Sequence, residues 1–127
     1  MKDEKISLSP SEWQVMEALW EKAPATGREL TDAMETKVGW SRSTTLTLLR
    51  RLEQKGAVTV DTTGPKSTFS PLISRKDAAR RETEDFLGRV YHGSLSLMVS
   101  SLTEKEQLTP EETGELERLL KKLEGGT

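Results

Sequence analysis

The stretch from Trp40 to Gly56, which reads WSRSTTLTLLRRLEQKG, decides the fold of this chain. Ser41 is a good N-cap residue, because its hydroxyl can accept a hydrogen bond from a free backbone N–H of the first turn. Gly56 suits the left-handed position just past a helix end, and Lys55 lies favourably near the negative end of the helix dipole. The stretch therefore predicts one helix with a defined beginning and a defined end.

This helix has two chemically different faces. At about 100° per residue, one face has the spacing of a buried stripe and consists of Thr45, Leu48, Leu49 and Leu52. The opposite face holds hydroxyls, an amide and two arginines, which are Ser43, Thr44, Thr47, Arg50, Arg51 and Gln54. Such a surface can reach base edges and can pair with phosphates. An ordinary solvated helix face is the alternative interpretation, and the helix alone does not decide between them.

A β-hairpin is predicted directly after the helix. Residues 58–61 alternate between apolar and polar as in a half-buried strand, turn residues occupy 62–65, and a second short run covers 67–69. Lys66 and Thr68 are expected at or near the tip, where a basic side chain can meet a phosphate. A helix followed by a hairpin is the order of a winged helix-turn-helix, which places one helix in a DNA groove and a loop beside it.

Two helix-start signals precede this stretch. Ser9-Pro10-Ser11-Glu12 is a capping box with proline at the first helical position, and the helix should run to about Glu21. Thr26-Gly27-Arg28-Glu29 is a second capping box, and it opens a shorter helix that ends before Gly39. The tryptophans and methionines here are interpreted as core residues. Residues 1–73 are thus predicted to form the winged helix-turn-helix domain.

Residues 74–127 have a different character. They predict three amphipathic helices with little globular core of their own. Their apolar stripes need a partner, most simply the same helices of a second subunit, and packing back on the preceding domain is the alternative. The residues expected in this dimer interface are Phe86, Leu87, Val90, Tyr91, Leu95, Met98, Val99, Leu102, Leu116, Leu119, Leu120 and Leu123. The predicted fold class is mainly α with a small β-wing, a DNA-binding domain followed by a C-terminal α-helical dimerization region.

Charge is unevenly distributed along the chain. The whole sequence carries a formal net charge of −2, which by itself is unusual for a protein that binds nucleic acid. Residues 38–76, however, carry seven basic and two acidic side chains, whereas both flanking segments are net acidic. Positive charge is therefore concentrated in the segment that is expected to touch phosphates, and such a local stripe matters more than the global balance.

Several classes of function are excluded or disfavoured. The absence of cysteine excludes disulfides and thiolate metal sites, and the single histidine, His92, gives no basis for a zinc site or for catalysis. No phosphate-binding glycine loop is present. No apolar run approaches the ~18 residues of a membrane span, and we expect no signal peptide. We therefore expect a cytoplasmic protein that is not an enzyme, has no metal or cofactor and does not insert into a membrane.

Two functions remain in view. In the first, a homodimer binds double-stranded DNA, and each copy reads one half-site about one or two helical turns, ~10 bp each, from the other. The residues expected to contact DNA are Arg42, Ser43, Thr44, Thr47, Arg50, Arg51, Gln54, Lys66 and Thr68. In the second, a winged-helix module docks a protein through the same helix. The basic, acid-free helix face with a basic wing favours DNA.

Three motifs resemble, in order, those of the penicillinase-repressor family, the BlaI/MecI type of bacterial regulators. LSPSEWQVM at residues 8–16, continued by Leu19-Trp20, resembles the family's first helix. STTLTLLRRLEQKG at residues 43–56 is similar to its recognition helix, and FLGRVYHGS at residues 86–94, followed by 95–99, resembles its dimerization region. The resemblance covers roughly residues 6–123.

The resemblance implies a dimeric repressor that binds an inverted-repeat operator upstream of a resistance or stress operon. Many members are paired with a membrane sensor-protease, and their induction involves cleavage in the dimerization region. The corresponding place here is Ser101-Leu102, where the best-known members have Asn-Phe. The copper-responsive branch uses a C-terminal cysteine cluster, which this chain lacks.

Overall fold

The computed structural model describes residues 6–104 and 108–125, with side chains up to residue 122. Six helices and three strands occupy these ranges. In chain order they are α1 (Pro10–Glu21), β1 (Ala25–Thr26), α2 (Gly27–Val38), α3 (Arg42–Lys55), β2 (Val58–Asp61), β3 (Thr68–Pro71), α4 (Arg75–Tyr91), α5 (Leu95–Thr103) and α6 (Pro110–Gly125). The predicted fold class, mainly helical with a small β-wing, is confirmed.

Capping boxes begin α1 and α2 where the sequence predicts them. The Ser9 hydroxyl accepts the Glu12 N–H at 3.1 Å, and the Glu12 carboxylate accepts the Ser9 N–H at 2.8 Å. The same reciprocal pairs of bonds begin α2 and α6. Each box satisfies backbone N–H groups that a helix start otherwise leaves without a partner.

The hydrophobic core of the first half of the chain lies between α1, α2 and α3. Its fully buried side chains in these helices are Val15, Met16, Leu19, Leu30, Met34, Leu49 and Leu52. Trp13 and Trp20 pack against this cluster, with their ring centroids 5.2 Å apart in an edge-to-face arrangement. Trp20 also donates its indole N–H to the carbonyl of Ile73 at 2.9 Å. Met16 and Met34 are thus core residues, as predicted, whereas Trp13 and Trp20 are partly buried and pack against the core.

A three-stranded antiparallel sheet packs beside these helices. β3 lies in the middle, paired with β1 on one side and β2 on the other. Phe69 accordingly faces Ala25 in one ladder and Val60 in the other. The hairpin of β2 and β3 is confirmed, but the sequence does not predict β1. Two residues are too few to show strand alternation, and their partner lies far along the chain.

The chain divides into two compact units, Met1–Thr83 and Glu84–Thr127. The sequence instead places the boundary between residues 73 and 74, ten positions earlier. The difference has a physical cause in the first turns of α4. Ala78 is buried in the core of the first unit, and Arg75 forms an ion pair with Glu17 of α1. The start of α4 therefore belongs to the first unit.

The second unit contains the end of α4, α5 and α6. His92 and Gly93 have φ angles of 54° and 80°, so α4 ends just before them. The Ser94 hydroxyl then caps α5 by accepting the Leu97 N–H at 3.2 Å. No side chain of α5 is buried, although this helix is rich in leucine, methionine and valine. The unit thus leaves apolar surface open to solvent.

Candidate nucleic-acid interface

α3 is fixed on the first unit by one face and by both of its ends. Its buried residues are the predicted ones: Thr45, Leu48, Leu49 and Leu52. The Ser41 hydroxyl accepts the Thr44 N–H at 3.3 Å, which caps the start of the helix. Gly56 ends the helix with a φ of 82°, an angle that glycine adopts without strain.

The predicted contact residues of α3 all have exposed side chains: Arg42, Ser43, Thr44, Thr47, Arg50, Arg51 and Gln54. At about 100° per residue, Arg50 lies near the centre of the exposed face, whereas Arg51 lies toward one flank. Glu53, the one acidic residue of α3, lies beyond Arg50 on the other flank. Consequently no carboxylate of α3 lies between the two arginines.

Three hydroxyls cluster at the first turn of α3. Ser41 Oγ lies 3.3 Å from Ser43 Oγ and 3.1 Å from Thr44 Oγ1. The first N–H groups of a helix have no partner inside it, and the helix dipole makes this end partially positive. Hydroxyl donors beside such an end are suited to a phosphate oxygen. The first turn of α3 therefore offers contacts to the nucleic-acid backbone rather than to bases alone.

The wing is the loop of residues 62–67 between β2 and β3. Lys66 has an exposed side chain in this loop, at the predicted place. Thr68 faces Asp61 in the last pair of the hairpin and is only partly exposed, so it lies at the base of the loop. The Asp61 carboxylate accepts the Thr63 hydroxyl at 2.7 Å and the Thr63 N–H at 2.9 Å, and these bonds lower the pKa of Asp61. Asp61 thus places a negative charge at the base of the wing, which local sequence patterns do not indicate as part of the site.

Lys55 has a structural partner that sequence reasoning missed. Its Nζ lies 2.5 Å from Glu12 Oε1 and 2.6 Å from the carbonyl oxygen of Ser7. Burial raises the pKa of Glu12, but the hydrogen bonds from Lys55 and Ser9 outweigh burial and hold this pKa below its ordinary value of 4.5. Lys55 therefore joins the end of α3 to the start of α1. The capping box locates Glu12 in the sequence, but nothing local indicates a partner 43 positions away.

The predicted dimer residues all lie in the second unit, and none of those described is buried. The most exposed are Leu119 at 57%, Leu95 at 46% and Val90 at 44%. Phe86, Leu102 and Leu120 are also exposed, and the partly exposed ones are Leu87, Tyr91, Met98, Val99 and Leu116. Leu123 lies outside the residues whose side chains are described. Within one copy of the chain these apolar side chains are thus exposed or partly exposed to solvent.

The segment that the resemblance relates to cleavage is helical here. Ser101 and Leu102 both lie within α5. The Ser101 hydroxyl donates to the carbonyl of Met98 at 2.9 Å and lies 2.8 Å from the Tyr91 hydroxyl. Leu102 is exposed. The peptide bond between them is therefore held in regular helix geometry.

Residues 6–104 and 108–125 include no group of three or more His, Cys, Asp or Glu side chains arranged to hold a metal ion. Among the same residues, no helix combines the length and the apolar character that crossing a membrane requires. The candidate site rests on the exposed polar and basic side chains of α3 and the wing.

The order of three helices, of which the third has an exposed basic face, followed by a hairpin, defines a winged helix-turn-helix domain with α3 as its recognition helix. The family model of the penicillinase repressor matches residues 8–122. The chain belongs to the penicillinase repressor family, and the resemblance inferred from the three motifs is confirmed.

Two related regulatory proteins match this chain along most of their length. The methicillin resistance regulatory protein MecI of Staphylococcus aureus strain N315 is 28% identical over 122 residues, which are 96% of this chain and 99% of that protein. The penicillinase repressor of Bacillus licheniformis is 32% identical over 113 residues, which are 89% and 88% of the two chains.

Two solved structures resemble the fold. One is the solution structure of the DNA-binding domain of the repressor BlaI. The other is the solution structure of the monomeric form of Bacillus licheniformis BlaI in complex with the blaP half-operator. Each has a TM-score of 0.53 and 30% sequence identity, and covers 57% of this chain and 90% of the solved one.

Proposed function

We propose that this protein is a homodimeric transcriptional repressor that binds a palindromic operator in double-stranded DNA. One observation carries the proposal: α3 exposes Arg50 and Arg51 with no carboxylate between them, while its opposite face is locked into the core. Membership in a family of repressors and the structural similarity to BlaI bound to a half-operator support it. Such a protein acts in the cytoplasm, where bacterial DNA lies.

The exposed side chains of α3 divide into two groups by their place on the helix. Ser43, Arg50 and Gln54 lie near the centre of the face, from which side chains reach base edges when a helix lies in the major groove. Arg51 and the first-turn residue Thr44 lie toward its edges, which suits phosphate contacts that fix register. Lys66 of the wing would add one more phosphate contact beside the groove. Asp61 at the base of the wing opposes this contact with its negative charge.

A second copy of the chain is the proposed partner of the second unit. Soluble monomers rarely expose contiguous apolar patches beyond a few hundred Å². Here the exposed apolar side chains occur on all three helices of the unit, for example Val90, Leu95 and Leu119. A symmetric dimer would bury the same patch from both copies. Since a monomeric form of BlaI takes up a half-operator, two copies of this chain would take up two halves.

A membrane sensor-protease that cleaves near Ser101 and Leu102 would be the inducing partner. Both residues lie in α5, and the Ser101 hydroxyl is engaged by Met98 and Tyr91. A protease needs a locally opened chain, so cleavage requires α5 to unfold around this bond.

Titration of duplex DNA with the full chain at rising salt concentrations tests the DNA-binding proposal. The probe is a duplex selected by the protein from a random-sequence pool. Because phosphate contacts release counterions, the logarithm of the association constant should fall linearly with the logarithm of the salt concentration. An association constant that does not change with salt, or no binding even at low salt, would contradict the proposal.

A winged-helix module that docks a protein is the remaining alternative. It predicts no preference among duplexes of different sequence, so the selection from the random pool would return no common motif. An inverted repeat in the selected duplexes supports the repressor and its two-fold symmetry instead. Sedimentation of the complex then gives the number of protein copies on one duplex.

A further inference from the structure

A cluster on the surface of the first unit joins α1 to the beginning of α4. Arg75 donates from Nε to Glu17 Oε1 at 3.1 Å and from Nη2 to Glu17 Oε2 at 3.0 Å. Trp13 donates its indole N–H to the same carboxylate at 2.8 Å. The Arg75 guanidinium also lies over the Trp13 ring, with its carbon 5.7 Å from the ring centroid. We call Trp13, Glu17 and Arg75 the α1–α4 clasp.

The contacts of the clasp constrain its side chains more than an ordinary surface ion pair does. A two-pronged arginine–carboxylate contact fixes direction as well as distance, and stacking on an aromatic ring adds a second constraint. The Glu17 side chain is 35% exposed and that of Arg75 is 56% exposed, so salt screens the pair only in part. The bonds from Arg75 and Trp13 lower the pKa of Glu17, which is therefore charged at neutral pH.

The neighbours of the clasp make it rigid. Trp13 packs edge to face on Trp20, and Trp20 donates to the Ile73 carbonyl two residues before Arg75. The Ser74 hydroxyl accepts the Asp77 N–H at 3.1 Å and so caps the first turn of α4. The first turn of α4 is thus held on α1 by contacts on both sides of its start.

α4 continues without a break from Arg75 to Tyr91, and the proposed dimer residues begin at Phe86. In a dimer joined through the second unit, the path from one recognition helix to the other passes through the beginning of α4 in each copy. Freedom at these two places would let each DNA-binding unit turn independently. Two half-sites at different spacings would then be bound almost equally well.

We propose that Arg75 is a positioning residue that determines how strictly the dimer selects the spacing of its two half-sites. It acts through Glu17 and Trp13 by holding the start of α4, and it touches no DNA. This inference rests on the proposed function, because it assumes a dimeric operator-binding protein. It adds a specificity determinant outside α3 and the wing.

Operators of altered spacing test the proposal with the full-length chain. The probes are the inverted repeat recovered from a random duplex pool, the same repeat with 2 bp inserted at its centre, and a single half-site. An insertion of 2 bp turns one half-site by about 70° around the DNA axis. We expect the insertion to weaken binding of the wild type on the order of a hundredfold. For Arg75→Ala we expect it to weaken binding by about tenfold, because losing one charge-assisted pair changes an equilibrium constant by about a factor of ten.

Two further variants separate positioning from other effects. Glu17→Gln keeps the size of the side chain but removes its charge, so it should relax spacing selectivity as Arg75→Ala does. Arg80→Ala removes an equal charge from the same helix, where Arg80 makes a loose contact of 3.9 Å to Asp77. It should keep the spacing selectivity of the wild type. Thermal unfolding confirms that each variant is folded.

The outcomes are distinct. The proposal holds if Arg75→Ala and Glu17→Gln bind the single half-site as the wild type does but tolerate the inserted base pairs. The proposal is overturned if the wild type and both variants select the half-site spacing equally strictly. It is also overturned if the variants lose as much affinity for the single half-site as for the full operator. If the wild type binds no duplex, or binds duplexes with an affinity that does not change with salt, the proposed function itself is overturned.

Discussion

The ammonium of Lys55, the last residue of α3, lies 2.5 Å from the carboxylate of Glu12 in the first turn of α1. The Glu12 side chain is 3% exposed, whereas that of Lys55 is 36% exposed. The same carboxylate accepts the Ser9 N–H of the capping box. One buried charge thus completes a helix cap and holds the end of α3, so the ion pair links the stability of the first unit to the placement of the exposed face of α3.

Loss of Lys55 should destabilise the fold, because it leaves a buried carboxylate without its counter-charge. We expect Lys55→Met to lower the free energy of unfolding by about 2 kcal/mol, less than for a fully buried pair because Lys55 is partly exposed. Denaturation in urea measures the change. Lys66→Met on the wing, the matched control, should change it by less than about 0.5 kcal/mol. Adding Glu12→Gln to Lys55→Met should recover part of the loss, and a fully additive double variant would contradict the pairing.

Stability should fall in acid through the same carboxylate. The pKa of Glu12 in the folded protein is below its ordinary value of 4.5, so the unfolded chain takes up a proton first as the pH decreases. The contribution of Glu12 is complete above about pH 5.5 and is lost as the pH falls through 4.5 toward the folded pKa, at up to about 1.4 kcal/mol per pH unit. The difference in unfolding free energy between the wild type and Glu12→Gln should therefore shrink below pH 4.5. A constant difference down to about pH 3 would contradict this.

Removing the hydroxyl of Thr45 should stabilise the folded protein. Thr45 is fully buried in α3, and its Oγ1 has no hydrogen-bond partner in the described part of the chain. Thr45→Val keeps the shape and removes the cost of an unpaired buried hydroxyl, so the free energy of unfolding should rise by about 1 kcal/mol. Thr31 is the matched control, because its buried hydroxyl donates to the Arg28 carbonyl at 3.0 Å. Thr31→Val should therefore lower stability, and equal effects of both substitutions would refute the explanation.

Local signals predicted α3 and its faces correctly, while contacts between distant residues were missed. Ser41 and Gly56 define the ends of α3 because a cap depends only on neighbouring residues. β1 was missed because its partner in β3 is supplied by the tertiary fold. The Lys55–Glu12 pair and the α1–α4 clasp were missed for the same reason, since side chains far apart in sequence meet only after the helices pack.

The two arginines of α3 should differ in what they contribute to binding. Arg51 lies toward the flank, so Arg51→Ala should weaken binding to all duplexes alike and reduce the salt slope by about one. Arg50 lies near the centre, so Arg50→Ala should relax sequence preference at one base pair, by about 1–3 kcal/mol if the contact to guanine is bidentate. Duplex titrations at several salt concentrations separate these effects. Unchanged binding in both variants would show that this face of α3 does not contact DNA.

Leu119→Asp should break the proposed dimer without unfolding the chain. Leu119 is 57% exposed within one copy, so an aspartate there costs little in the monomer. In a symmetric dimer the substitution occurs twice, and the lost apolar burial alone should raise the dissociation constant by at least about a hundredfold. Sedimentation equilibrium measures this constant. Lys121→Asp on the other side of α6 changes the charge more but should leave the dimer intact. If Leu119→Asp also sediments as a dimer of normal stability, the contact between copies lies elsewhere, and the exposed stripe of α6 requires another explanation.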